Sequence, residues 1–183
     1  APLSVGLVGQ FNVSNLLAVI AVLMESGFSF EQALETASAL TPPEGRMQTL
    51  GGIGEPMVVV DYAHTPDALE QVLLALKSTA ASRQGKLCCV FGCGGDRDPG
   101  KRPLMGEVAA RLASRAIITS DNPRSERPED IIRQVQEGAP GAEQISDRAR
   151  AIRQAVLTSD ANDIVLIAGK GHETYQEVAG VRQ

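Results

Sequence analysis

The chain has 183 residues, 43% of them hydrophobic, which is enough for a real core and excludes a disordered segment. A formal charge of −5 excludes general nucleic-acid binding, which needs a cationic face to displace counterions. No apolar run of about 18 residues or more occurs, and the start APLSVGLVGQFNVS lacks the basic segment and cleavage site of a signal peptide, so a cytoplasmic protein without membrane contact is expected.

Residues 3–9, LSVGLVG, enter partway into a strand pattern, and residues 175–183 resemble a hairpin whose second arm stops early; both ends read as cuts in a longer protein. Between them a first helix is expected, with Asn12 or Ser14 as cap, Leu16, Leu17, Val19, Ile20, Leu23 and Met24 as its apolar series, and Gly27 as its stop. Ser29 and Gln32 have capping-box spacing before a second helix through Leu40. Thr41-Pro42-Pro43-Glu44-Gly45 breaks the pattern and marks a domain boundary, giving domains over 1–44 and 45–183.

From Arg46 onward the chain alternates. β-rich runs at 57–61, 86–92, 116–120 and 163–169, with a weak fifth at 143–146, are separated by helical stretches near 66–81, 102–114, 128–137 and 147–158. Such alternation predicts an α/β fold, a doubly wound and mostly parallel sheet with right-handed crossovers and helices on both faces. Cys88, Cys89 and Cys93 lack the paired CxxC knuckles of a zinc site and read as reduced thiols, two of them in a strand; no metal site is expected.

In doubly wound sheets ligands bind outside the carboxyl ends of the strands. Those ends here carry DYAHTPD, GCGGDRDPGKR, SDNPR and AGKGHE. In the first, Thr65 caps a helix and Pro66 starts it; His64 is either a packed histidine or a functional one, and Asp61 suggests a ribose or hydroxyl acceptor by analogy with nucleotide-binding folds. In the second, Lys101 and Arg102 stand where a helix begins, against its dipole, a conflict a bound anion would remove; a flexible loop with solvated cations is the alternative, and Arg97 between two aspartates is also readable as a surface ion pair. The fourth, AGKGHETYQ, lacks P-loop spacing, and no GxxxxGK[ST] occurs in the chain. Glu173 there suits a substrate ammonium, while a glycine turn with exposed charges reads equally well.

Together these loops gather Arg97, Lys101, Arg102, Arg124 and Lys170 with Asp121 and Glu173 on an acidic protein, which suits an anionic or zwitterionic small ligand.

FNVSN at 11–15, GRM at 45–47, DYAHTPD at 61–67, GCGGDRDxGKRPLM at 92–105, DNPR at 121–124 and GKGHE at 169–173 occur in an order that resembles the Mur ligases, ATP-dependent amide-forming enzymes of peptidoglycan synthesis. The resemblance spans almost the whole chain and is specific to members that add meso-diaminopimelate to UDP-N-acetylmuramoyl-L-alanyl-D-glutamate, with which DNPR is associated. It implies that Arg97, Asp121, Asn122, Pro123, Arg124, Gly169 and Glu173 bind the diaminopimelate, and that Asn15, Arg46, Asp61 and His64 lie near ATP. It also implies that residues 1–44 are the tail of a central ATPase domain whose P-loop, magnesium ligands and carbamylated lysine lie upstream, that 45–183 is the C-terminal amino-acid-binding domain, truncated at its end, and that this part alone holds neither Mg²⁺ nor a catalytic residue. The competing expectations are a stand-alone amino-acid or nucleotide-binding module, and a dinucleotide oxidoreductase, which the missing GxGxxG fingerprint disfavours.

Overall fold

The structure, a computed structural model, describes residues 3, 5–7, 9 and 11–182. It divides into a small unit over 1–43 and a larger one over 44–183. In the small unit, α1 (Phe11–Glu25) already contains Asn12 and Ser14, so neither is its cap; the Asn12 N–H bonds to the Gly9 carbonyl instead. Gly27 at φ +94° ends it, with the Gly27 and Phe28 N–H groups returning to the Met24 and Leu23 carbonyls in a Schellman motif. Ser29 and Gln32 cap one another's backbone at the start of α2 (Phe30–Ser38). Leu16 and Ile20 pack with Ala33 and Ala37, whose small side chains let the helices approach closely. The strand expected over 3–9 falls partly outside the described residues, and its described positions are irregular.

In the larger unit the chain runs β1 (Gln48–Gly51), β2 (Met57–Asp61), α3 (Pro66–Ser82), β3 (Leu87–Phe91), α4 (Lys101–Leu112), β4 (Arg115–Ile118), α5 (Pro128–Gln136), β5 (Glu143–Gln144), α6 (Arg148–Leu157) and β6 (Ile164–Ala168), then a small hairpin of β7 (Glu177–Val178) and β8 (Val181–Arg182). The six-stranded sheet has the order β1-β2-β6-β3-β4-β5 and is parallel except at β1. The α/β, doubly wound, mostly parallel expectation therefore holds. The antiparallel edge strand β1 is an addition: QTLG has no β-rich run, and its place comes from pairing with β2 through a glycine-rich reversal.

β3 reads LCCVF and is buried at every position, as a strand flanked on both edges and covered on both faces must be. Burying Val90 or Phe91 is worth about 1.5–3 kcal/mol each. From β2 the chain steps through β3, β4 and β5 in one direction, and α3, α4 and α5 pack on one another in succession. It then reverses to β6 in the middle, and α6 lays Ala151 and Ala155 on Cys88, Val90, Ile117 and Val165. Right-handed crossovers place helices on opposite faces when direction reverses, and the parity of β3 agrees, since Cys89 and Phe91 face away from α6. The reversal brings the carboxyl ends of β2, β6, β3 and β4 around one crevice.

Candidate functional site

The crevice is a cleft of about 410 Å³ fed by the loops after β2, β3, β4 and β6. Of the residues expected to bind an amino acid, Arg97, Asp121, Asn122, Arg124, Gly169 and Glu173 line it, as do His64 and Lys101. Pro123 is buried behind the wall, and a Cβ added at Gly95 would collide with its carbonyl oxygen. Asn15 lies on α1 in the small unit, where its amide donates to the Asn12 Oδ1.

The DNPR turn is built by its own side chains. Asp121 Oδ1 accepts the next backbone N–H, from Asn122, at 2.7 Å. Its Oδ2 would sit 2.7 Å from any Cβ at Gly169, where φ is +114°, so only glycine suits that position. Asn122 is 4% exposed and held at both ends of its amide: its Oδ1 accepts from Lys170 Nζ (2.9 Å) and the Glu177 N–H (2.9 Å), while its Nδ2 donates to Glu173 Oε2 (3.0 Å). Arg124 takes a left-handed φ of +52° and is pinned there by backbone bonds to Glu177 and Ala179. Its Nη1 donates to the Gly95 carbonyl at 2.8 Å, and Glu177 lies 3.8 Å from its Nε.

Glu173 forms an ion pair with Lys170 at 3.1 Å. Burial pushes its carboxyl up, but hydrogen bonds from Lys170 and Asn122 outweigh burial and the net direction is down, so it stands as a carboxylate ready for an ammonium. Behind it Arg148 donates to the Ala168 and Ser120 carbonyls, tying the ends of β6 and β4 together; burial lowers its pKa. Neither Arg148 nor the holding role of Asn122 is visible in the sequence, because both depend on contacts far along the chain.

At the DYAHTPD end Asp61 is 7% exposed, and both carboxylate oxygens accept backbone N–H groups, Oδ2 from Met47 and Oδ1 from Ala63, each at 2.8 Å. It fastens the entry to β1 onto the end of β2. His64 is exposed; its Nδ1 lies 2.8 Å from the Tyr62 carbonyl, and Lys101 Nζ donates to the His64 carbonyl at 2.9 Å. Arg46 sits over the Tyr62 ring at 4.8 Å, and His172 stacks against the same ring at 5.8 Å. This stack of Arg46, Tyr62 and His172 forms a flat, partly exposed surface that the motif spacing does not announce.

The anion expected opposite Lys101 and Arg102 needs correcting for Arg102. That side chain is 1% exposed, and its counter-anion is Glu126 at 2.8 Å. Arg97, in contrast, donates only to the Asp96 carbonyl, because the flanking aspartates are engaged elsewhere: Asp96 with Ser125, Asp98 with the Gly100 N–H. Its guanidinium therefore faces the cleft without a carboxylate partner among the described residues.

The three cysteines are buried free thiols, two of them in β3. Burial pushes Cys88 and Cys93 up to about 11 and Cys89 further still, so none is a nucleophile, although Cys93 borders the cleft. Among the described residues no three His, Cys, Asp or Glu side chains converge as a metal ion would require. No described helix is long and apolar enough to cross a membrane.

Residues 45–171 match the profile of the Mur ligase, glutamate ligase domain. The UDP-N-acetylmuramoyl-L-alanyl-D-glutamate--2,6-diaminopimelate ligase of Acidovorax sp. (strain JS42) is 57% identical over 178 residues, covering 96% of this chain and 36% of that protein. The Chromobacterium violaceum protein of the same name is 54% identical over 180 residues, with 97% and 36% covered. A solved structure of a ligase of that name superposes with a TM-score of 0.75 at 46% identity, over 99% of this chain and 37% of the other. A folylpolyglutamate synthase from Thermotoga maritima, 20% identical over 91% of this chain and 37% of its own, shares the fold with a TM-score of 0.70. The chain thus spans about a third of the length of the curated relatives it matches. With the profile covering most of the sheet and its rim, the chain belongs to the Mur ligase family.

Proposed function

We propose that this chain is the amino-acid-binding part of an ATP-dependent ligase that joins meso-diaminopimelate to UDP-N-acetylmuramoyl-L-alanyl-D-glutamate in the cytoplasm, a step of peptidoglycan precursor synthesis. On this reading residues 1–44 are the tail of the central ATPase domain and 45–183 are the C-terminal domain. The observation that carries it is that one cleft is lined by the cations Arg97 and Arg124 together with the carboxylates Asp121 and Glu173. A diamino dicarboxylic acid presents the complementary set: carboxylates for the arginines, an ammonium for the acids.

A carboxylate is a poor electrophile, so transfer of the ATP γ-phosphoryl to the acceptor's carboxylate supplies an acyl phosphate; Mg²⁺, held outside the residues described, would supply charge neutralisation when bound. The amine nitrogen then attacks the acyl carbon with its lone pair, the C–O bond to phosphate breaks, and the amine proton passes to solvent. Glu173 and Asp121 hold one end of the amino acid and Arg97 and Arg124 the other, so the chain's contribution is proximity and orientation. Gly169 gives the ligand close access to backbone, and Pro123 fixes the turn. Asn122 acts by holding Glu173 and Lys170. Asn15, Arg46, Asp61 and His64 belong to the ATP side; the Arg46–Tyr62 stack suits a nucleobase face, and Asp61 contributes by anchoring Met47.

Lysine lacks the second carboxylate and would leave Arg97 and Arg124 facing no ligand carboxylate at that end, so rejection by about 10⁴-fold is attainable. The test is Arg124→Ala in the full-length ligase, with the melting temperature measured beside it; φ +52° suits alanine no worse than arginine. The KM for diaminopimelate should rise by about 100-fold or more while ATP affinity stays within about twofold. An unaltered KM for diaminopimelate sinks the assignment.

A further inference from the structure

Arg102 is the largest fully buried side chain among the described residues and is not itself one of the groups that line the cleft. Its two terminal nitrogens fork onto the Glu126 carboxylate, each at 2.8 Å, and reach Gln134 Oε1 (2.6 Å) and the Gly94 carbonyl (3.2 Å); its Nε is buried without a partner. Glu126 Oε1 also accepts the Asp96 N–H at 2.7 Å. Asp96 in turn accepts from the Ser125 N–H (3.2 Å) and hydroxyl (2.5 Å). The Gly95 N–H bonds to the Asn122 carbonyl at 2.9 Å. The loop after β3 and the loop after β4 are therefore fixed to each other around one ion pair. One loop presents Arg97 to the cleft and the other presents Arg124.

Stability alone does not account for such a pair. Burying a guanidinium is costly, a packed apolar side chain often serves as well, and this pair, whose Glu126 side chain is 32% exposed, leaves a guanidinium nitrogen unsatisfied. What an apolar pair lacks is direction: a fork onto a carboxylate fixes distance and angle together. Arg102 raises no ligand of its own, yet its position decides where two ligand-facing arginines stand.

We propose that Arg102 and Glu126 are positioning residues, a rivet with its cation buried and its carboxylate partly exposed, that sets the spacing of Arg97 and Arg124 and thereby the fit of a dicarboxylic amino acid. This rests on the ligase reading above. The hydrogen bonds from Arg102 hold the Glu126 carboxyl down at about 2, so the pair stays charged across any working pH.

The test uses the full-length ligase with the double variant Arg102→Met, Glu126→Leu, beside Glu126→Gln, which keeps one acceptor. In the double variant the melting temperature should stay within about 5 °C, since apolar side chains fill the volume. The KM for diaminopimelate should rise about tenfold or more with the KM for ATP within about twofold, and Glu126→Gln should fall between wild type and the double variant. A folded double variant with wild-type KM for diaminopimelate, or equal rises for both substrates, overturns the rivet. Hydrogen exchange of the Gly95 and Ser125 amides gives a reading independent of substrate and of whether the double variant folds. In Glu126→Gln both should lose protection together, and unchanged protection refutes the rivet. Wild-type enzyme that makes no amide with diaminopimelate would refute the ligase reading, and exchange would still decide the rivet.

Discussion

Asn122 and Glu173 are 51 positions apart in the chain and meet at 3.0 Å, side-chain amide to carboxylate. The amide oxygen is shared between Lys170 and the Glu177 N–H, so one buried residue fixes the acid, the base and the strap that follows. Replacing it with leucine keeps the branched heavy-atom shape and removes every side-chain hydrogen bond, stranding the Glu177 N–H. Asn122→Leu should lose about 2–4 kcal/mol by urea unfolding. An unchanged midpoint would show that Asn122 holds nothing.

Gly45 and Gly171 face each other so closely that a Cβ at Gly45 would collide with the backbone of Gly171 and His172. Gly45 also holds φ +66°, whereas Gly54 at φ +74° has open space around it and serves as the control. Gly54→Ala should cost about 1 kcal/mol from backbone strain alone. Gly45→Ala should cost more, by about 1–3 kcal/mol beyond that, because the collision is with main chain that cannot rotate away. Equal thermal shifts for the two would contradict the close approach.

Acid should weaken the fold from a defined direction. The Glu126 carboxyl is depressed from an ordinary 4.5 to about 2, chiefly by its hydrogen bonds from Arg102; Glu143 is lowered by Arg115, and Asp96 by Ser125. A depressed carboxylate stabilises the folded state above its unfolded pKa and loses that contribution as pH falls through the folded one. The urea midpoint should therefore be flat above about pH 5 and decline between 4.5 and about 2, with Glu126→Gln declining less steeply. A decline already complete at pH 5 would point to other groups.

Local rules carried far into this fold. Ser29 with Gln32, Gly27, Thr65 with Pro66, and Pro128 all act where their chemistry put them, because caps and stops are decided within a few residues. The rim was legible too, since charged and glycine-rich loops after apolar strands are rare enough to stand out. Hidden from the sequence were the relationships among those loops. Arg102 reads as one of three basic neighbours in a loop, and only the approach of Glu126 from the next loop makes it a core residue. Asp61 reads as a ligand acceptor, and only the fold spends both its oxygens on the backbone of Met47 and Ala63. β1 was missed for the same reason: its four residues are a strand because β2 offers an edge, not because of what they are.

The place of β6 has a consequence for how the molecule is made. Met57 pairs with Ile164, and Leu87 pairs with the same residue from the other side. The middle of the sheet is thus supplied by a segment synthesised after both of its neighbours, and until it arrives β2 and β3 are two half-sheets with an empty slot between them. Pairing across so long a stretch of chain is slow to form, and a nascent chain halted before Ile164 would hold two adhesive strand edges open to other copies of itself.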